Sequence, residues 1–203
     1  MTLTIYGSPY SRTLRVLWAA GELGVDYEHV PLAADDPALK QPDYLRINPS
    51  GTIPAIVDDG FALSESLAIN LYLAKKYGSD GDAPLYPADP RTEAEIWRWT
   101  LWAQVHLEPW VQQDTRLADL RAAIGTHARA ATDAALSVLN GWLDRRAWLA
   151  SDHFTIGDLN VATVLSPSRT RLLDLAAHPR VEAWLLRCYE RPAAVATRRR
   201  FTP

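Results

Sequence analysis

Residues 5–16, IYGSPYSRTLRV, set three hydroxyl side chains, Ser8, Tyr10 and Ser11, between a short apolar run and a helix-like pattern, with Tyr6 just before them. Ser11 falls at the helix N-cap or in its first turn. Capping alone accounts for a serine there, because its oxygen can take an otherwise unpaired N–H of the first turn. The same place also suits an anion, since exposed N–H groups and the helix dipole both favour negative charge. A hydroxyl at that point can donate to a thiolate or an oxyanion. It is a poor nucleophile without a base, and no histidine or aspartate is close in sequence. The stretch therefore argues for anion stabilisation over Ser-His-Asp hydrolysis.

Two further stretches carry complementary chemistry. In INPSGTIPAIVDDG (47–60), Asn48-Pro49-Ser50-Gly51 is a turn, and Ile53-Pro54 precedes a strand. A proline there cannot donate to a sheet ladder. A cis bond would turn the N–H and C=O of Ile53 outward as an edge for an extended peptide, although only about 6% of such bonds are cis. In ALSESLAI (62–69), Glu65 and Ser66 open a helix. They read either as an ordinary first turn or as a second anion site, with Ser66 on a carboxylate and Glu65 facing an ammonium. In EIWRWTLWAQVHLEPW (95–110), Trp99, Trp102, His106 and Trp110 share one helical face. That face is either core or subunit contact, or an aromatic wall for an apolar ligand with His106 as its polar point.

These side chains need a scaffold, and the pattern supplies one. TLTIY (2–6) is a strand, residues 12–23 have helical spacing with Gly24 as the stop, and VDYEHVPL (25–32) is a second strand. A right-handed crossover makes those two strands parallel. Residues 52–66 form a hairpin about Asp59-Gly60. Ser64 can cap the following helix, which Gly78 ends. The expected fold is α+β with two domains: a βαβ-ββα domain over 1–78, a Pro/Gly/Asp-rich linker over 79–89, and an all-helical domain over 90–203. Its helices are expected near 90–112, 115–146, 157–165, 171–176 and 180–190. Thr155-x-x-Asp158 is a capping box, with Phe154 and Leu159 as its staple, worth about 1 kcal/mol.

Composition excludes several classes. Residues 1–80 carry 6 basic and 10 acidic side chains (−4), and residues 81–203 carry 15 and 14 (+1). Neither half has the field to hold nucleic acid by its phosphates, and the Arg198–Arg200 run reads as a solvated tail. The single cysteine, Cys188, excludes an internal disulfide, a CxxC redox pair and a cysteine-rich zinc site. The five histidines lack metal-ligand spacing, so no metal is expected. No secretory leader and no run of about 18 apolar residues is present, so a cytoplasmic protein with no membrane partner is expected.

Tyr6-Gly-Ser-Pro-Tyr-Ser11, Asn48-Pro-Ser-Gly-Thr-Ile-Pro54, Ser64-Glu-Ser66 and Phe154-Thr-Ile-Gly-Asp158 follow one another across nearly the whole chain. In that order and spacing the chain resembles the cytosolic glutathione transferases, as a bacterial serine-type member near the theta and phi classes. The resemblance implies a thioredoxin-like N-terminal domain, a helical C-terminal domain and a homodimer. It implies glutathione as co-substrate, no other cofactor, and a small hydrophobic electrophile as the second partner. It raises Ile53-Pro54 to an expected cis bond, with Ile53 pairing the cysteinyl backbone. Glu65 and Ser66 would hold the γ-glutamyl end, and Lys40 the glycyl carboxylate, beside Thr52 and Pro54. Tyr10, Trp102 and His106 would line the electrophile pocket.

Thr52 stands where many relatives carry a longer polar side chain, and Gln41-Pro42 where a second basic residue is common, implying a looser hold on the glycyl end. Counting from Tyr6, the family's serine is Ser11. Counting back from Arg15, as in the zeta pattern, selects Ser8. The tyrosine-type position would be Tyr6. The activity implied is conjugation of the glutathione thiolate to an apolar electrophile. The alternatives are a non-catalytic glutathione or ligand-binding module, or a zeta-type isomerase or dehalogenase. A glutaredoxin-type reductase is disfavoured, since no cysteine precedes residue 188.

Overall fold

The computed structural model describes residues 2–111, 118–166, 173 and 175–201. The chain divides into two compact units, Met1–Tyr86 with Glu190–Pro203, and Pro87–Tyr189.

The first unit is a four-stranded mixed sheet in the order β2-β1-β3-β4. β1 (Leu3–Tyr6) buries Leu3 and Ile5 and leaves Thr4 and Tyr6 on the other face, the period of two that a half-buried strand requires. α1 (Thr13–Leu23) returns the chain so that β2 (Tyr27–Val30) pairs parallel to β1, and Gly24 closes α1 at φ 61°. β3 (Ala55–Asp58) runs antiparallel to β1 and pairs with β4 (Phe61–Ser64). The two-residue loop between them is Asp59-Gly60, at φ 48° and 85°, the doubly positive turn that matches strand twist.

α3 (Ser66–Tyr77) follows and ends at Gly78. Ser64 was expected to cap it, but Ser64 pairs in β4 with Ala55, and Glu65 occupies the cap position without a side-chain capping bond. Leu3, Ile5 and Ile56 of the sheet pack with Val16, Leu17 and Ala20 of α1 and with Ile69 and Leu73 of α3. The opposite face carries a smaller cluster, Leu39, Tyr44 and Ala55 with Tyr6, Ile47 and Ile53 packed on it. Its cover is a 3₁₀ turn, Pro37–Lys40, and a short helix, α2 (Pro42–Ile47). The sequence pattern did not separate α2 from loop, because six residues hold too little apolar periodicity to register.

At the end of β3 the buried carboxylate of Asp58 accepts hydrogen bonds from Tyr72 (2.8 Å), Tyr77 (2.7 Å) and Lys76 (2.8 Å). Burial pushes its pKa up, but the bonds from Lys76, Tyr77 and Tyr72 outweigh burial and hold it below the usual value of 3.8. A carboxyl lowered by folding stabilises the fold above its unfolded pKa and loses that contribution as pH falls through the folded value. Urea unfolding between pH 5 and 2 should therefore show stability falling below about pH 4. Asp58→Asn should flatten that part of the curve. An unchanged slope in the variant would remove Asp58 as its source.

Among the described residues the second unit contains helices and their connections and no strand. Asp89 starts α4 (Pro90–Trp102), its carboxylate accepting the Thr92 N–H at 2.9 Å with Pro90 in the first helical position. A π-helical turn, Ala103–Leu107, leads into α5 (Glu108–Val111). α6 (Ala118–Trp142), α7 (Ile156–Val164) and α8 (Pro179–Tyr189) follow. The helix expected at 171–176, and the first residues of the one expected from 115, lie outside the described residues. α7 is buried along its whole length and forms the unit's centre.

The expected helical domain ran to 203, but the last helix, α9 (Pro192–Phe201), packs on α1 in the first unit. Gly21 permits this approach, since a methyl there would meet Thr197 Oγ1 at 3.3 Å and Ala193 Cβ at 3.6 Å. Arg191 forks onto Glu22 through bonds of 2.9 and 2.8 Å. Residues 79–86, expected as linker, also belong to the first unit, where the Tyr86 N–H donates to the Gly78 carbonyl.

Candidate active site

The turn between β1 and α1 is built from single-turn bonds. The Ser11 N–H donates to the Ser8 carbonyl at 3.0 Å, and the Leu14 N–H donates to the Ser11 carbonyl at 3.2 Å. Ser8 Oγ accepts the Tyr10 N–H at 3.2 Å. The half-buried Ser11 hydroxyl donates to the Ser8 carbonyl at 2.7 Å, and its oxygen accepts the Thr13 N–H at 3.1 Å. Ser11 thus takes the first N–H of α1 from two residues before Thr13; the N-cap itself is Arg12, so Ser11 stands one residue ahead of the N-cap place its spacing suggested. Tyr10 is 75% exposed. The Tyr6 ring packs edge-on to Tyr44 at 6.0 Å within the smaller core cluster.

Gly7 is the hinge of this turn. At φ 130° it occupies backbone space closed to other residues, and a Cβ there would lie 2.2 Å from Thr13 Oγ1 and 2.9 Å from Ile53 Cβ. The hydroxyl turn and Ile53 are therefore in close approach. His29 Nε2 lies 2.8 Å from the Gly7 carbonyl, tying β2 to the turn.

The Ile53-Pro54 bond is cis, and Ile53 stands two residues before the β3 ladder opens at Ala55. Asn48, 1% exposed, braces this segment: its amide nitrogen donates to the Thr52 carbonyl at 2.8 Å and to Thr52 Oγ1 at 3.2 Å, and its amide oxygen accepts the Ser50 N–H at 3.1 Å. Tyr44 donates to the same Thr52 carbonyl at 2.7 Å. Burial, helped by neighbouring Tyr6, pushes the Tyr44 pKa up to about 12, so this phenol stays a donor. Lys40 Nζ rests on the carbonyls of Gly51 (2.8 Å) and Ser50 (3.4 Å).

Glu65 leads into α3 at φ 70°, ψ 110°, a strained conformation for a residue with a Cβ. Ser66, 4% exposed, begins the helix, and buried Arg15 of α1 donates to Ser66 Oγ at 3.4 Å. Sequence reading used Arg15 only for counting. Its signal was a cation between Leu14 and Val16, inside the apolar run of α1. Asn48, Tyr44 and His29 were also missed as site residues, because each acts on a backbone carbonyl that the fold brings near, and Thr13 because its bonds to the Ser11 hydroxyl leave no pattern in the sequence.

In the second unit, Trp99 is wholly buried, its ring 5.0 Å from Trp102 and 5.4 Å from Trp142. Trp102 is half-buried and lies 6.1 Å from the exposed His106. The π-helical turn begins directly after Trp102, and the Trp102–His106 ring contact continues into it. Trp99 is core, and only Trp102, His106 and Trp110 retain exposed surface. Among the described residues, no group of acidic, histidine or cysteine side chains is placed to hold a metal ion, and no helix is long and apolar enough to cross a membrane.

A thioredoxin-like sheet with a cis-proline before β3 and polar side chains at the starts of two helices, together with a helical second unit, defines a two-domain protein with a thioredoxin-like N-terminal part. The family model for the glutathione S-transferase N-terminal domain matches residues 1–75, and that for the C-terminal domain matches residues 102–192. Glutathione S-transferase 3 of Zea mays is 36% identical over 94% of this chain and 90% of its own length. Glutathione S-transferase D7 of Anopheles gambiae is 32% identical over 93% and 86%. A glutathione S-transferase III solved in its apo form superposes with a TM-score of 0.82 at 35% identity, covering 100% of this chain and 98% of that one. The chain belongs to the glutathione S-transferase family.

Proposed function

We propose that this chain binds glutathione in its first unit, holds the thiol as thiolate through the Ser11 hydroxyl, and conjugates it to an apolar electrophile as a homodimeric, serine-type enzyme. The observation that supports the reading is the Ser11 hydroxyl at the entrance to α1, bonded at 2.7 Å to the Ser8 carbonyl, which also accepts the Ser11 N–H and so keeps a partner when the hydroxyl serves a sulfur.

A free thiol has a pKa of about 8.5, so little of it is thiolate at neutral pH. Lowering that by two units takes roughly 2.7 kcal/mol, and one hydrogen bond to a charged group contributes about 1.5–3 kcal/mol. A single hydroxyl with help from the α1 N-terminus is therefore enough. The thiol proton leaves to solvent, the sulfur forms a bond to the electrophilic carbon, and that carbon releases its leaving group or opens its π bond.

The rest of the peptide has matching partners around one end of the sheet. Ile53 offers its backbone to the cysteinyl unit, ahead of Pro54. Glu65 meets the γ-glutamyl ammonium, and Ser66 with the α3 N–H groups meets its carboxylate. Lys40, beside Thr52, takes the glycyl carboxylate. Trp102 and His106 offer aromatic surface in the second unit for an apolar electrophile, and Tyr10 is an exposed ring in the first. Trp97, Leu101 and Val105, exposed at a spacing of four, suit burial against a second copy.

The test incubates the protein with glutathione and a panel of aryl halides, epoxides and unsaturated carbonyls, and follows thiol consumption. Conjugation of at least one class is expected, from protein that elutes at twice the chain mass. Glutathione binding without any turnover would overturn the enzyme reading in favour of a binding module.

A further inference from the structure

Ser11 Oγ has three polar neighbours, and their chemistry fixes which way its hydrogen points. The Ser8 carbonyl, at 2.7 Å, can only accept, so the Ser11 proton lies on it. The Thr13 N–H, at 3.1 Å, can only donate, so it takes one lone pair of the serine oxygen. Thr13 Oγ1 lies 2.8 Å away. With the serine proton already committed, the threonine hydroxyl is the donor of that pair and takes the second lone pair. Both acceptor positions of Ser11 are then filled by one residue.

Thr13 is held to this task by packing. It is 0% exposed, and its hydroxyl lies against Gly7, where a Cβ would come within 2.2 Å. The missing side chain at Gly7 is thus the space that Thr13 Oγ1 uses.

We propose that Thr13 is the positioning residue for Ser11: its amide and hydroxyl saturate the serine oxygen as acceptor, so that Ser11 can face sulfur only as a donor. The inference rests on Ser11 being the thiolate partner. A sulfur arriving on the side of the Ser8 carbonyl then meets the Ser11 proton without displacing either Thr13 donor, and the Ser8 carbonyl keeps the Ser11 N–H at 3.0 Å. A hydroxyl that accepts from another hydroxyl is also polarised into a better donor.

The test compares Thr13→Val, Thr13→Ser and Ser11→Ala, with the double variant, by the pH dependence of kcat/KM and by thiolate absorbance of bound glutathione. Thr13→Val keeps the amide donor and deletes the hydroxyl. It should move the acid limb up by about half to one pH unit and lower kcat/KM near pH 6.5 by about fivefold, with the glutathione KM nearly unchanged. Thr13→Ser should restore the parent profile. In the Ser11→Ala background, Thr13→Val should add no further shift. If Thr13→Val does not fold, Thr13→Ala carries the same expectation. A Thr13→Val profile that superimposes on the parent while Ser11→Ala shifts it would overturn the inference and leave the Ser11 reading standing. A Thr13→Val shift that persists without Ser11 would also overturn it. A Ser11→Ala profile identical to the parent would instead remove the Ser11 reading itself.

Discussion

Ser11→Ala should raise the acid limb of kcat/KM by about one to two pH units and lower turnover near pH 6.5 by about 10- to 100-fold. The sign follows from which form the bond favours. A hydroxyl donating to sulfur stabilises the thiolate, so its loss raises the thiol pKa and leaves less nucleophile at a given pH. Above about pH 9.5 both enzymes hold mostly thiolate, and their rates should converge. Glutathione binding should change little, because Lys40, Ile53, Glu65 and Ser66 are untouched. The helix N–H groups remain, so some thiolate stabilisation survives. Ser8→Ala should leave the limb near its parent position, because the reading assigns the bond to sulfur to Ser11 and leaves Ser8 Oγ as the acceptor of the Tyr10 N–H at 3.2 Å. A shift with Ser8→Ala and none with Ser11→Ala would exchange their roles.

Asp158→Ala should cost about 3–5 kcal/mol of stability, far more than a surface helix cap. The carboxylate lies inside the helical unit with no exposure. Oδ2 reaches back to the Thr155 N–H (3.0 Å) and hydroxyl (3.1 Å), which is the capping box legible in the sequence. Oδ1 accepts the Leu149 N–H and the Trp184 indole N–H, both at 2.9 Å. Burial pushes the Asp158 pKa up, against these four donors, which pull it down. Deleting the side chain strands all four in the interior, at about 1–3 kcal/mol for each that water cannot reach. Asp158→Asn should be damaging too, because its NH2 must face donors on one side. Denaturant unfolding measures both. A loss of only about 1 kcal/mol for Asp158→Ala would mean that the long-range bonds contribute nothing.

The two residues differ in how far sequence carried them. For Ser11, the offset from β1 and the helix behind it already specified a donor at a helix entrance, and four motifs in order specified the family. For Asp158, the local spacing specified the cap and valued it at about 1 kcal/mol or more, as a local bond. The larger value comes from Leu149 and Trp184, 9 and 26 residues away in the chain. For the aromatic face, spacing set Trp99, Trp102, His106 and Trp110 together and left core and ligand wall both open; burial alone separates them, with Trp99 in the core and the other three retaining exposed surface.

The sequence by itself determined what local bonding and periodicity encode. That covers the four strands, α1 and α3 of the first unit, the Asp59-Gly60 turn, the Asp89 and Thr155 helix starts, and the hydroxyl-bearing entrance to α1. Each of these depends on residues within a few positions of one another. Tertiary structure alone decided the contacts across long sequence separations. It put Arg15 on Ser66, set Ile53 against the space that Gly7 leaves open, returned α9 to α1 beside Gly21, and buried Asp58 under Tyr72, Lys76 and Tyr77. These contacts come from packing and desolvation. No spacing rule records which buried donor will find which acceptor once water is removed.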